Sequence, residues 1–115
     1  MKVIGVSSSA RTNGNTAQCL GIALNYLQRI GYSTKLIELS RFKIFPCHGC
    51  DIECLKIHSC HLLIKDDVKA LWYELCSANA IIWGIPNYSN GIPGLLKCFI
   101  DRAQPLGYDP SFWKP

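Results

Sequence analysis

At 115 residues the chain has room for one hydrophobic core and not for two. Hydrophobic residues make up 49% and charged residues 17%, which excludes intrinsic disorder. The net charge of +4 comes from basic residues scattered singly, which excludes a nucleic-acid patch and suits a small phosphate-bearing ligand. No run approaches the roughly 20 apolar residues of a membrane span, and the apolar start turns polar at Ser7, too soon for a signal peptide. Seven cysteines is an odd count. Without a signal peptide, the expected setting is the reducing cytoplasm rather than a disulfide framework.

The first strand is expected over Lys2–Ser7, a short β-branched and apolar run. From Thr16 onward Leu20, Leu24 and Leu27 follow helical spacing, and Gly31 stands where such a helix should stop. Residues 33–39 predict a second strand. Residues 40–65 show no period and hold a cysteine cluster. Asp66 and Asp67 then open a second helix, where acidic side chains suit the positive end of the dipole. Val68, Leu71, Trp72 and Leu75 give that helix one apolar face. Residues 80–85 are apolar throughout, the pattern of a strand buried on both faces of a parallel sheet, with Trp72 and Trp83 as core. Pro93 opens a third helix carrying Ile92, Leu95, Leu96 and Phe99 on one face. Residues 104–115 hold three prolines and no period, and read as a tail. Cys19, Cys76 and Cys98 are expected in the core as small hydrophobes.

Alternating strands and helices imply right-handed crossovers and a parallel sheet, with the first helix on one face and the other two opposite. Ligands of such sheets bind beyond the carboxyl ends of the strands, where strand order reverses. That edge carries residues 7–15, residues 86–91 and the cysteine segment. The first loop, from Ser7 to Thr16, is dense in hydroxyls, amides and glycine and holds Arg11. It leads into a helix N-terminus, where unpaired N–H groups favour an anion. Asn15 or Thr16 acting as an ordinary helix cap is the alternative reading. Neither a P-loop nor a G-x-G-x-x-G run is present. The loop after the third strand, Pro86-Asn87-Tyr88-Ser89-Asn90-Gly91, offers an aromatic ring and backbone amides suited to a flat heteroaromatic ligand. Such residues also make plain turns.

These residues resemble the NAD(P)H-dependent FMN reductases of flavodoxin-like fold and their relatives, the iron–sulfur flavoproteins. Ser9-Ala10-Arg11-Thr12-Asn13-Gly14-Asn15-Thr16 is similar to the family's Ser-Pro-Arg-x-x-Gly-Asn-Thr phosphate loop, with alanine in place of proline. The stretch from Gly84 through Tyr88 to Asp101-Arg102 is similar to its second signature, a Pro-x-Tyr loop followed by a Leu-Lys-x-Phe-Ile-Asp-Arg helix. The resemblance implies a three-layer α/β/α domain over residues 1–115, with a parallel sheet limited to its first three strands in order 2-1-3. It implies that Ser7, Ser9, Arg11, Asn13, Asn15 and Thr16 hold the FMN phosphate. Pro86, Asn87, Tyr88, Ser89, Asn90 and Gly91 would line the flavin ring. It further implies NAD(P)H as electron donor and no catalytic side chain, because the flavin carries the chemistry. Asp101 and Arg102 sit where a structural ion pair or an oligomer contact is expected.

The cysteine spacing is Cys47-x2-Cys50-x3-Cys54-x5-Cys60. Four thiolates so close together suit a [4Fe–4S] cluster. The iron–sulfur flavoproteins have two residues between the second and third cysteines, and this chain has three. His48, His58 and His61 also permit a mixed Cys/His zinc site, and free thiols are the third reading. Three functions therefore stand side by side. One is an FMN oxidoreductase passing electrons to an acceptor. Another is an iron–sulfur electron carrier serving a partner protein. The last is a C-terminally truncated, non-catalytic chain that needs a partner chain, since a complete flavodoxin-like sheet has five strands.

Overall fold

The computed structural model describes residues 1–108. In chain order it contains β1 (Lys2–Ser7), α1 (Asn15–Arg29), β2 (Ser33–Glu38), α2 (Glu53–Lys56), α3 (Val68–Cys76), β3 (Ala80–Gly84) and α4 (Gly94–Gly107). Short 3-10 turns follow β2 at Leu39–Arg41 and precede α3 at His61–Ile64. The three strands are parallel in the order β2-β1-β3, the flavodoxin-like start that the sequence implied.

The register places Ile4 and Val6 of β1 beside Ile37 of β2 and Ile81 and Trp83 of β3, so these side chains share one face. On that face Ile4, Val6 and Ile37 pack with Leu71 and Leu75 of α3 and with Leu96 and Phe99 of α4. The opposite face carries α1, which comes very close. A Cβ on Gly5 would lie 2.9 Å from Leu24, and one on Gly84 would lie 2.6 Å from Thr16 and 2.7 Å from Leu20. Both glycines are therefore fixed by helix–sheet packing rather than by backbone conformation. Gly31, by contrast, ends α1 at φ +97°, which favours glycine there.

Several elements differ from expectation. β3 was expected to be buried on both faces, yet Ile81 and Trp83 are 37% and 39% exposed. Among the described residues no strand pairs with the outer side of β3, and burial follows neighbours rather than composition. Trp83 therefore meets Phe99 at 6.5 Å between ring centroids but is not enclosed. Cys19 and Cys76 are exposed and Cys98 is half-buried, which corrects their placement in the core. Each lies about 100° around its helix from the buried stripe, at Leu20, Leu75 and Phe99 respectively. Residues 104–107 belong to α4 and Tyr108 caps its C-terminus, so this part is no tail; residues 109–115 lie outside the described residues. Pro105 removes one helical hydrogen bond, but Ala103, Pro105 and Leu106 are all buried, and that packing outweighs it.

Asp66 and Asp67 do more than complement a dipole. Asp67 Oδ2 accepts the Lys43 N–H at 2.7 Å, and the Lys43 carbonyl accepts the Asp67 N–H at 2.9 Å. Asp66 accepts the backbone N–H groups of Phe45 (3.0 Å) and Val68 (3.3 Å). Arg102 of α4 meets Asp66 with both terminal nitrogens, at 2.7 and 3.3 Å, and donates to the Phe45 carbonyl at 3.1 Å. Arg102 is 1% exposed and the Asp66 side chain 0%. Residues 46–59 thus leave the fold beside one narrow neck, and the chain returns through buried Leu62 and Leu63, of which Leu63 joins the core on the sheet. The expected ion pair involves Arg102 but not Asp101, which pairs with Lys97 on the helix surface.

Candidate functional site

β1 and β3 end side by side, with Ser7 paired to Gly84. Both the N–H and the hydroxyl of Ser8 donate to the Gly84 carbonyl, at 3.0 and 3.1 Å. The two loops that leave these strands therefore start from a fixed junction. In the first loop the Arg11 N–H donates to Ser9 Oγ at 3.1 Å, and the Gly14 N–H donates to the Arg11 carbonyl at 3.4 Å. Gly14 is the N-cap of α1 and brings no side chain to cap it. Asn15 and Thr16 already stand within the helix, so neither is the cap. The first-turn amides of α1 accordingly remain available to an anion.

In the second loop Tyr88 and Gly91 exchange backbone hydrogen bonds, both at 3.0 Å. Ser89 and Asn90 between them have φ values of 48° and 62°, the signature of a tight type I′ turn. This rigid turn presents the Tyr88 ring to the first loop. The Tyr88 hydroxyl oxygen accepts the Ala10 N–H at 3.2 Å and shares a 3.2 Å hydrogen bond with Ser9 Oγ. Ser9 first, then the Ala10 amide, hold the phenol below its ordinary pKa; burial works against them, and the Arg11 charge adds a smaller lowering.

Between the loops lies a cleft of about 550 Å³ lined by Ser9, Ala10, Arg11, Gly14, Asn15, Thr16, Pro86 and Tyr88. It falls in the size range of small-molecule sites. Six of the twelve residues expected around FMN meet here: Ser9, Arg11, Asn15, Thr16, Pro86 and Tyr88. An uncapped helix N-terminus, an arginine and two hydroxyls form a donor set suited to a phosphate monoester, and the proline–tyrosine wall suits a flat ring. The other six lie around the cleft. Ser7 is buried at the end of β1, its hydroxyl without a partner among the described residues. Asn87, Ser89, Asn90 and Gly91 are exposed on the turn. Asn13, at φ 56°, faces β2: its N–H donates to Glu38 Oε1 at 2.7 Å, and its side-chain oxygen accepts from Arg41 at 3.1 Å.

Glu38 and Arg41 were not singled out in the sequence. Glu38 is buried at the end of β2, where Arg41 Nε reaches it at 2.6 Å. Burial pushes its pKa up, but the Asn13 amide and Arg41 overcome this and hold the carboxylate below its ordinary range. The pair braces the far side of the first loop. The available signal was an acidic residue closing a strand with a basic residue three positions on.

The cysteine segment forms a separate region. Burial raises the Cys54 thiol pKa, and the nearby Cys60, Cys47 and Cys50 raise it further, so the four sulfurs share one electrostatic neighbourhood. The Gly49 N–H points to Cys47 Sγ at 3.4 Å. Asp51, Ile52 and His58 all have positive φ, and for a β-branched residue such as Ile52 this is strained backbone. The donor set suits a thiolate-bound metal, but among the described residues no three His, Cys, Asp or Glu side chains converge to grip one. Charge interactions reach well beyond bonding distance, so a shared electrostatic neighbourhood does not by itself make a ligand set.

The family model described as NADPH-dependent FMN reductase matches residues 1–115. The chain belongs to this family. It is 38% identical over 106 residues to an iron–sulfur flavoprotein of Methanocaldococcus jannaschii, a match covering 92% of this chain and 53% of that protein. It is 36% identical over 104 residues to an iron–sulfur flavoprotein of Archaeoglobus fulgidus, covering 90% and 51%. The chain thus spans about half the length of these curated relatives. Among solved structures, a flavone reductase superposes with a TM-score of 0.70 at 24% identity, covering 91% of this chain and 30% of that one. An NADH:FMN oxidoreductase gives 0.60 at 25% identity, covering 87% and 48%. The FMN reductase fold accounts for the parallel β2-β1-β3 order and for a cleft at the carboxyl edge of the sheet. Among the described residues of this family member, no helix is long and apolar enough to cross a membrane.

Proposed function

We propose that the chain binds FMN in the cleft between residues 9–16 and residues 86–91 and serves an NAD(P)H-dependent oxidoreductase that passes electrons to an acceptor. The observation that carries this reading is the meeting of Ser9, Arg11, Asn15 and Thr16 with Pro86 and Tyr88 in one cleft. The α1 amides and Arg11 would neutralise the phosphate, with Ser7, Ser9 and Asn13 supporting the loop that holds it. Pro86 and Tyr88 would set the ring against the wall, with Asn87, Ser89, Asn90 and Gly91 at its edge. Bound FMN supplies the hydride-accepting chemistry. The protein holds and orients the flavin, and Glu38 and Arg41 keep the phosphate loop in place. The test is a titration of FMN fluorescence, followed by addition of NADH or NADPH. Quenching with FMN and bleaching of the yellow colour by reduced nicotinamide are expected. No quenching at saturating FMN would overturn the reading.

A second reading adds a [4Fe–4S] cluster at Cys47, Cys50, Cys54 and Cys60, making the protein an electron carrier. The names of its curated relatives favour it. Iron and acid-labile sulfide in stoichiometric amounts after anaerobic purification would support it; zinc in their place would exclude it. We place the protein in the cytoplasm, as a homo-oligomer or with an electron-transfer partner. The exposed flank of β3 favours such an association. Size-exclusion chromatography tests it, and a compact protease-resistant monomer would contradict it.

A further inference from the structure

The Tyr88 hydroxyl occupies an unusual place. Its oxygen takes the Ala10 N–H, and it shares a hydrogen bond with Ser9 Oγ. Both partners belong to the loop that, on the cofactor reading above, receives a phosphate. Ser9 Oγ already accepts the Arg11 N–H, so its own proton is free to be donated. A phosphate oxygen would ask for the same two donors as the phenol. The Arg11 charge acts on the phenol as well, as it would on an anion. The ring is carried on a tight turn fixed by two backbone hydrogen bonds, and Tyr88 is 37% exposed. It therefore has room to leave without unpacking the core.

We propose that the Tyr88 hydroxyl is an internal substitute for a phosphate oxygen. It satisfies the Ala10 N–H and the Ser9 hydroxyl when no anion is bound, so that neither donor is left bare. It gives up both donors when a phosphate monoester enters. Tyr88 is thus a competitor for the phosphate at its own site. This rests on the reading of the cleft as a phosphate site.

The test compares the wild type with Tyr88→Phe, which keeps the ring and removes the oxygen. Binding of inorganic phosphate and of FMN is measured by calorimetry, with riboflavin, which lacks the phosphate, as control. Exchange of the Ala10 amide proton is followed by NMR. Without its competitor, the variant should bind phosphate and FMN about three- to tenfold more tightly, the span of one net hydrogen bond. Riboflavin affinity should stay the same, and the Ala10 amide should exchange faster in the ligand-free variant only. Weaker or unchanged phosphate binding in Tyr88→Phe overturns the proposal and leaves the cofactor reading standing. Failure of both proteins to bind phosphate or FMN overturns both.

Discussion

Replacing Asp66 with alanine should be the most damaging single change outside the cleft. The substitution leaves the Arg102 guanidinium charged, enclosed and without its carboxylate. Breaking a buried pair from one side costs about 3–5 kcal/mol. The total stability of a domain is only about 5–15 kcal/mol. With a urea slope near 1.5 kcal/mol per M, the midpoint should fall by about 2–3 M. Removing both partners at once, as Asp66→Leu with Arg102→Met, should cost much less, because no bare charge remains. Arg102 Nε is already buried without a partner among the described residues, which lowers the loss further. The N–H groups of Phe45 and Val68 stay orphaned in both proteins, leaving the double variant about 1–3 kcal/mol below the wild type. Urea unfolding followed by circular dichroism of the wild type, Asp66→Leu, Arg102→Met and the double variant gives all four corners of the cycle, with Asp66→Ala as the truncation measured beside it. A double variant as unstable as Asp66→Ala would refute the argument and shift the loss to backbone and packing.

Gly84→Ala would drive a methyl group into Thr16 and Leu20. It should cost about 1–3 kcal/mol in a thermal melt and weaken FMN binding by displacing the start of α1; an unchanged melt would contradict the packing. Glu38 has its folded pKa held below its ordinary 4.5. Its contribution is therefore present above that value and lost as pH falls through the lower folded one. Glu38→Gln should flatten this part of the acid limb in melting temperature against pH, and identical limbs would remove Glu38 from the account. With metals chelated, iodoacetamide followed by peptide mass spectrometry should label Cys54 more slowly than the exposed Cys47 and Cys50, because its thiol is half-buried and its pKa raised. Faster labelling at Cys54 would reverse that ranking.

Strands and helices were legible where one residue class repeats with one period, as in Leu20 and Leu24 or Val68, Leu71 and Leu75. The two loops of the cleft were legible because glycine, proline and hydroxyl residues gather just after strands. Exposure of β3 was not, since the same apolar run serves a covered or an open strand and only its neighbours decide. The link between Ser9 and Tyr88 spans 79 positions, and no local pattern announces it. Glu38 looked like one more strand residue until the turn at Asn13 supplied its partner. Asp66 carried a signal, an acidic helix start, but its main partners lie 21 and 36 residues away. The cluster of four cysteines was plain, while their failure to converge depends on backbone angles that spacing does not encode.

The neck at residues 43–45 and 66–68, with Leu62 and Leu63 packed just before it, leaves the largely exposed stretch 46–59 as the one part of this segment that can vary with little effect on the core. Both sides of the neck are fastened at one place, to each other and to α4. The cleft takes no part in that fastening. Adding one residue to a loop of about 20 changes its closure entropy by only about 0.04 kcal/mol. The extra residue between Cys50 and Cys54 therefore costs the frame little in closure entropy, and its first effect is on the spacing of the thiols. Such a stretch lets a lineage retune or abandon a thiol site while the machinery beside it is inherited intact.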